Sequence, residues 1–339
     1  MQLLKSRKAG TLMTDTLRAG LIGCGSLGRT HSQALADLDG MKMVAFCDVR
    51  PEGAQALCDQ FGGDYATTEA RQVLEDPSLQ AIYICTHHDT HAELCIAAAE
   101  QGKHLMVEKP LALTVAECVA VDRAIAASGV KCFTAFKMRY YELINKAREI
   151  IPEPLLVTMQ MTDNTWSPTM WANDPIKGGG NVLSQGCHSC DLLRYVAGRD
   201  PLEVYAVGGC YYTPTGVVDN LCATFRFEGG VAGSWVQGDA NLQQPMSKFF
   251  MQVFAPGISV VLSERFCRLV VSRPGEEPEV HLGTETGFVE ENRAFLDCLQ
   301  QDTPPPIDQR DGLLATLMVL QAIASTRSGQ PEPIKAVLP

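Results

Sequence analysis

The apolar run Leu17–Ile22 feeds straight into Gly23-Cys24-Gly25-Ser26-Leu27-Gly28, and a helical spacing of apolar residues resumes at once through Leu35. Few folds take a strand through three glycines into a helix. Gly23 permits the tight turn, Gly25 lets a ligand's phosphates approach the backbone, and Gly28 permits close helix–strand packing. The helix start at Ser26 and Leu27 offers free amides to an anion. Asp48 stands twenty residues past Gly28, at the end of the next apolar run, Met41–Cys47. An acid there accepts hydrogen bonds from an adenosine ribose and repels a 2′-phosphate, so the pattern predicts a dinucleotide site with NAD favoured over NADP. Arg50, two residues on, is the neighbour that would favour the phosphate.

Strand and helix go on alternating. Helices are expected over residues 53–61, 69–74, 90–100 and 115–127, and strands over 81–85, 105–107 and 131–135. This predicts an α/β protein with an N-terminal Rossmann domain, a doubly wound parallel sheet, over residues 17–137. The pattern changes near Pro152 and Pro154. A strand over 155–161 leads into a segment rich in Asn, Asp, Pro and Gly, which ends at Gly178-Gly179-Gly180. A helix through Tyr195 stops at Gly198. Strands are then expected over 202–212, 218–228, 231–238, 248–254, 258–263 and 267–272, and helices over 288–299 and 312–328. Residues 138–339 therefore read as an α+β domain with a large open, mostly antiparallel sheet. Residues 1–16 read as a disordered leader.

Bulk properties narrow the partners. The net charge is -11 and no basic block follows the first few residues, which argues against a nucleic-acid groove or an anionic membrane surface. No apolar run approaches the roughly 18 residues of a membrane span. Thirteen scattered cysteines without a signal peptide read as reduced thiols in a cytoplasmic protein. Cys187-His188-x-Cys190 and His87-His88-Asp89-x-His91 are rich in ligand types. With no second Cys-x-x-Cys and both cysteines placed at the start of an expected helix, they read as core thiols, and no metal is expected.

Residues 105–107 end in Glu108-Lys109-Pro110, placing a lysine at a strand tip. Several motifs follow in order. The glycine turn continues to His31, and residues 82–86 lead to His91. Gly102-Lys103-His104 leads to Glu108-Lys109-Pro110, Gly178-Gly179-Gly180 precedes Gly186-Cys187-His188-Ser189-Cys190-Asp191, and a tail runs over 306–329. Over about residues 17–330 the chain resembles the Gfo/Idh/MocA family, named for glucose–fructose oxidoreductase, inositol dehydrogenase and rhizopine catabolism. The resemblance implies an NAD-dependent oxidoreductase that oxidises a secondary hydroxyl of a sugar, sugar derivative or cyclitol to a ketone. It implies Lys109 at the reacting oxygen and His188 as acid/base. The chemistry is consistent: the reaction needs a proton acceptor with a pKa near working pH and a cation beside the developing alkoxide.

On the same resemblance, Thr86, His87, His91, Glu108, Lys109 and Lys137 join the cofactor contacts, and Lys137, Arg139 and Tyr140 face the cleft from the end of the last Rossmann strand. His88, Asn164, Trp166, Trp171 and Lys177 are the expected substrate contacts, with Ser184 on the catalytic helix. A neutral small-molecule polyol and a homodimer or homotetramer are expected. Ser184 is a departure, because dehydrogenases of the family often carry aspartate there, one helical turn before the histidine. Its loss leaves two alternatives open: a redox-neutral glycosidase or lyase that keeps NAD bound, and a non-catalytic sensor. Retention of Lys109 and His188 argues against the sensor.

Overall fold

A computed structural model of the chain describes residues 16–241, 247–285 and 287–335, so the expected leader lies almost wholly outside the described residues. The first half runs β1 (Leu17–Ile22), α1 (Ser26–Ala36), β2 (Met41–Cys47), α2 (Pro51–Phe61), β3 (Tyr65–Thr67), α3 (Ala70–Glu75), β4 (Ala81–Ile84), α4 (His91–Glu100), β5 (His104–Val107), α5 (Val115–Ser128) and β6 (Cys132–Thr134). The strands pair in parallel in the order β3-β2-β1-β4-β5-β6. Parallel strands are buried on both faces and so read as continuous apolar runs; β4 and β6 are buried throughout. β3 escapes the sequence reading because its three residues are only half-buried and form no such run. α5 has clear limits, with a Thr114–Glu117 capping box at its start and Gly129 in the left-handed region at its end. The chain order reverses between β1 and β4, which opens a ligand crevice beyond their C-terminal ends.

The second half runs α6 (Glu142–Ile150), β7 (Leu156–Asn164), α7 (Gly180–Ala197), β8 (Pro201–Gly209), β9 (Asn220–Phe227), β10 (Ala232–Asn241), β11 (Phe249–Ala255), β12 (Ile258–Ser263), β13 (Arg268–Ser272), β14 (Glu279–Leu282), α8 (Phe288–Gln300), α9 (Gln309–Ser328) and β15 (Glu332–Pro333). Nine strands form one sheet in the order β14-β13-β12-β11-β7-β10-β9-β8-β15. β7 and β10 run parallel at its centre, and all other neighbours are antiparallel. Period-two burial, clearest in β9, turns one face onto α7 and α9 and leaves the other uncovered. α7 comes close to the sheet at Gly186, where a Cβ would stand 2.6 Å from the Trp235 ring.

α6 and β14 are absent from the sequence reading. α6 hides between the Rossmann half and the two prolines, and β14 is a largely exposed edge strand. α7 begins at Gly180, so Cys187 and Cys190 sit in mid-helix, wholly buried, rather than at its start.

The C-terminal helices return to the first half: α8 packs on α1, and α9 packs on α5 and β6. The outer edge of β6 is closed by this returning chain. The Thr134 amide donates to Ile307 O at 3.1 Å and its hydroxyl to Asp308 O at 3.0 Å. No described helix is long and apolar enough to cross a membrane.

Candidate active site

The glycine turn is built as its sequence requires. Gly23 has φ +100°, and a Cβ there would stand 2.4 Å from Cys85 O; a Cβ on Gly28 would stand 2.1 Å from Gly23 O. Gly25 meets nothing within 4 Å, leaving open space where a pyrophosphate would approach. No side chain caps α1, so the first-turn amides of Ser26 and Leu27 remain available. Asp48 lies beside this turn, its Oδ2 accepting from Cys24 N at 2.8 Å and its Oδ1 from Arg50 N at 2.9 Å. Arg50 stays largely exposed. These residues fit a dinucleotide on the donor set and the empty approach alone.

Beyond β5, the Glu108-Lys109-Pro110 segment is held from three sides. Asn292 Nδ2 on α8 donates to His31 Nδ1 at 3.0 Å, which leaves His31 Nε2–H to face Glu108 Oε1 at 3.2 Å. Glu108 Oε2 accepts the Lys109 amide at 3.2 Å. Burial pushes the Glu108 carboxyl up, but the hydrogen bond from His31 and the charge of Lys109 outweigh it and hold the carboxyl low. The Lys109–Pro110 peptide is cis. His91 Nδ1 donates to Pro110 O at 2.8 Å while Nε2 faces Thr86 O at 3.3 Å, so His91 ties the two loops together rather than reaching toward a ligand.

The Lys109 ammonium is nearly buried and donates to Ser184 O on α7 at 3.1 Å. One turn further along α7 is His188, whose ring edge meets Phe136. His188 Nδ1 is sealed without a hydrogen-bond partner among the described groups, which leaves Nε2 as the ring nitrogen that a ligand could meet. Burial, then the charges of Lys109, Lys137 and Lys248, push the His188 pKa well below its ordinary value. The serine at 184 is consistent with this direction, since no carboxylate stands where it would hold the imidazolium.

A strap from the second half closes on the Thr86 loop. His87 stacks on Trp171 with ring centroids 4.2 Å apart, and His88 meets the same ring edge-on at 4.8 Å. His88 Nδ1 donates to Gly178 O at 2.9 Å, and Asp89 N to Lys177 O at 3.3 Å. Burial first, then His91 and Lys109, hold His88 neutral. Lys137 joins from a single turn after β6, its ammonium 4.2 Å from the Phe288 ring centroid.

Two expectations are corrected. Arg139 does not face the cleft: it is buried against Asp191, with Nε–Oδ2 at 2.9 Å and Nη2–Oδ1 at 2.5 Å, and against Asp311 at 3.1 Å. Tyr140 likewise buries its hydroxyl, which meets no partner among the described groups and lies in reach of Glu291. On the rim, Asn164 ends β7 instead of opening a loop, and Lys177 is exposed. Trp166 donates through Nε1 to Asp163 Oδ2 at 3.3 Å. Sequence reasoning missed Lys248, whose ammonium meets the same Asp163 oxygen at 2.6 Å. The two residues are 85 positions apart and no motif links them. Among the described residues no group of three or more His, Cys, Asp or Glu is placed to hold a metal ion.

Fold and site together define a two-domain, nicotinamide-dependent oxidoreductase. The sequence model of the oxidoreductase family with an NAD-binding Rossmann fold, GFO/IDH/MocA, matches residues 17–136, and that of the GFO/IDH/MocA C-terminal domain matches 147–247. The chain belongs to this family and is an NAD(P)-dependent dehydrogenase. It is 26% identical to a myo-inositol 2-dehydrogenase of Thermotoga maritima over 95% of this chain and 100% of that protein. It is 25% identical to a scyllo-inositol 2-dehydrogenase (NAD(+)) of Bacillus subtilis over 94% and 96%. Its fold matches a levoglucosan dehydrogenase solved with NADH and levoglucosan, with TM-score 0.86 and 23% identity over 94% of this chain and 100% of that one.

Proposed function

We propose that the chain oxidises a secondary hydroxyl of a sugar, sugar derivative or cyclitol to a ketone, using NAD. The observation that carries this reading is the Lys109 ammonium resting on the Ser184 carbonyl, one helical turn from His188, at the crevice mouth of the parallel sheet. Neutral His188 takes the hydroxyl proton through Nε2. Lys109 donates to the same oxygen as negative charge develops on it. The bound nicotinamide supplies the hydride acceptor. Buried His88, set edge-on against the Trp171 ring, walls one side. The relatives named for inositol and the neighbour solved with levoglucosan support a polyhydroxylated ring as substrate. The uncovered sheet face, where Val207, Cys222 and Val236 lie side by side, suits self-association as a dimer or tetramer. The free thiols suit a cytoplasmic protein.

The test is a panel of sugars and cyclitols assayed for NADH at 340 nm. Net NADH accumulation is expected, with NAD bound at least about tenfold more tightly than NADP because Asp48 would face the extra phosphate. Turnover without net NADH would replace this reading with the redox-neutral one. Equal or tighter NADP binding in calorimetry would remove the cofactor assignment.

The low His188 pKa has a pH consequence. The base works only when neutral, so the acidic limb of kcat/KM should fall below the ordinary histidine range. Ser184→Asp places a negative charge one turn away, favours the imidazolium and should move that limb to higher pH. An unmoved limb in the variant would mean that His188 is not the titrating base.

A further inference from the structure

The surroundings of His188 are short of negative charge. Lys109 is nearly buried, and its ammonium has a backbone carbonyl as its only hydrogen-bond partner among the described groups. Lys137 is largely enclosed and rests on the Phe288 ring, with no described carboxylate at ion-pair distance. Lys248 is a third ammonium within electrostatic reach of His188. The described carboxylates in reach of Lys109 and Lys137 are engaged with other groups. Glu108 is held by His31 and the Lys109 amide. Asp163 meets Lys248, and Glu285 makes a two-point pair with Arg265. Glu291 is fully buried, without a hydrogen-bond partner, and burial drives it toward its neutral form. The serine at 184 adds no charge, and oxidised nicotinamide would bring a further positive charge into the same space.

Enclosed ammonium groups without an anionic partner are costly, and an anion that enters and pairs with them offsets part of that cost. Resting on the function proposed above, we infer that the substrate is an acidic polyol, carrying a carboxylate close to the oxidised carbinol, with Lys109 on the carbinol oxygen and Lys137 receiving the carboxylate. This replaces the neutral polyol expected from the few exposed basic residues: the relevant charge lies in the cleft, out of view of surface composition. The carboxylate is unchanged in the reaction. It acts by orienting the ring and drawing it into a positive, weakly screened pocket.

The experiment compares matched acids and neutral partners at saturating NAD: D-glucuronate with D-glucose, D-galacturonate with D-galactose, and D-gluconate with sorbitol. At least one acid should exceed its partner in kcat/KM by about tenfold or more, the scale of one charge-assisted hydrogen bond. Its KM should rise with added sodium chloride. Lys137→Met should collapse the acid-to-neutral ratio toward one, and Lys137→Arg should restore much of it. Lys137 has no carboxylate partner to strand, so its removal tests recognition more cleanly than removal of Lys248 would. Neutral partners turned over as well as or better than the acids would overturn the acidic-substrate inference and leave the dehydrogenase reading standing. A ratio unmoved by Lys137→Met would overturn the role of Lys137. Failure of every compound to yield NADH or to bind the NADH-loaded enzyme in calorimetry would overturn both readings.

Discussion

Lys109→Ala is expected to lower kcat by about 10²–10³-fold while leaving NAD affinity within a few-fold of the parent, the loss typical of removing one donor from a developing oxyanion. Lys109 Nζ donates to one backbone carbonyl, Ser184 O, which the helix already engages through its i+4 amide. Truncation therefore leaves no buried carboxylate without its partner, and the variant should fold. The dinucleotide contacts expected at Gly25 and Asp48 belong to the turn after β1 and the end of β2 and are untouched. Steady-state rates with calorimetric NAD titration check the split. A kcat near that of the parent would remove Lys109 from the chemistry.

Arg139→Ala is expected to destabilise the fold by about 3–5 kcal/mol, the scale of breaking a buried ion pair from one side. Arg139 follows the last Rossmann strand, Asp191 lies on α7, and Asp311 lies in the first turn of α9. Its guanidinium fastens three parts of the chain together, and its loss leaves the enclosed Asp191 carboxyl without its partner. Chemical denaturation measures the loss directly. Arg139→Met combined with Asp191→Leu should recover most of the stability, since an apolar pair of similar size avoids the uncompensated charge. A single variant as stable as the parent would show that the pair carries little of the fold.

How legible the chain was depended on the distance over which each contact acts. β1, β2 and β12 match their apolar runs to the residue, because burial on both faces or strict alternation is written locally. Glycine turns and capping residues are likewise local. The role of Arg139 was not readable: an arginine beside a predicted cleft and an arginine in a buried ion pair look the same until α7 and α9 are in place. Lys248 and Asp163 meet across a strand pairing that the sequence does not spell out. The lowered His188 pKa was legible in direction from the serine at 184, but its main causes, burial and three lysines from separate elements, belong to the assembled cleft.

The closure of β6 bears on how the protein is made. The Thr134 hydroxyl bonds a carbonyl 174 residues further on. While the chain is being synthesised, the parallel sheet is complete through β6 long before the segment that covers its outer edge exists. An uncovered strand edge is a template for pairing with another chain. The nucleotide-binding half, released alone by truncation at residue 137 or by an early stop, should therefore be prone to aggregation, and it is not a portable module for fusion or domain exchange.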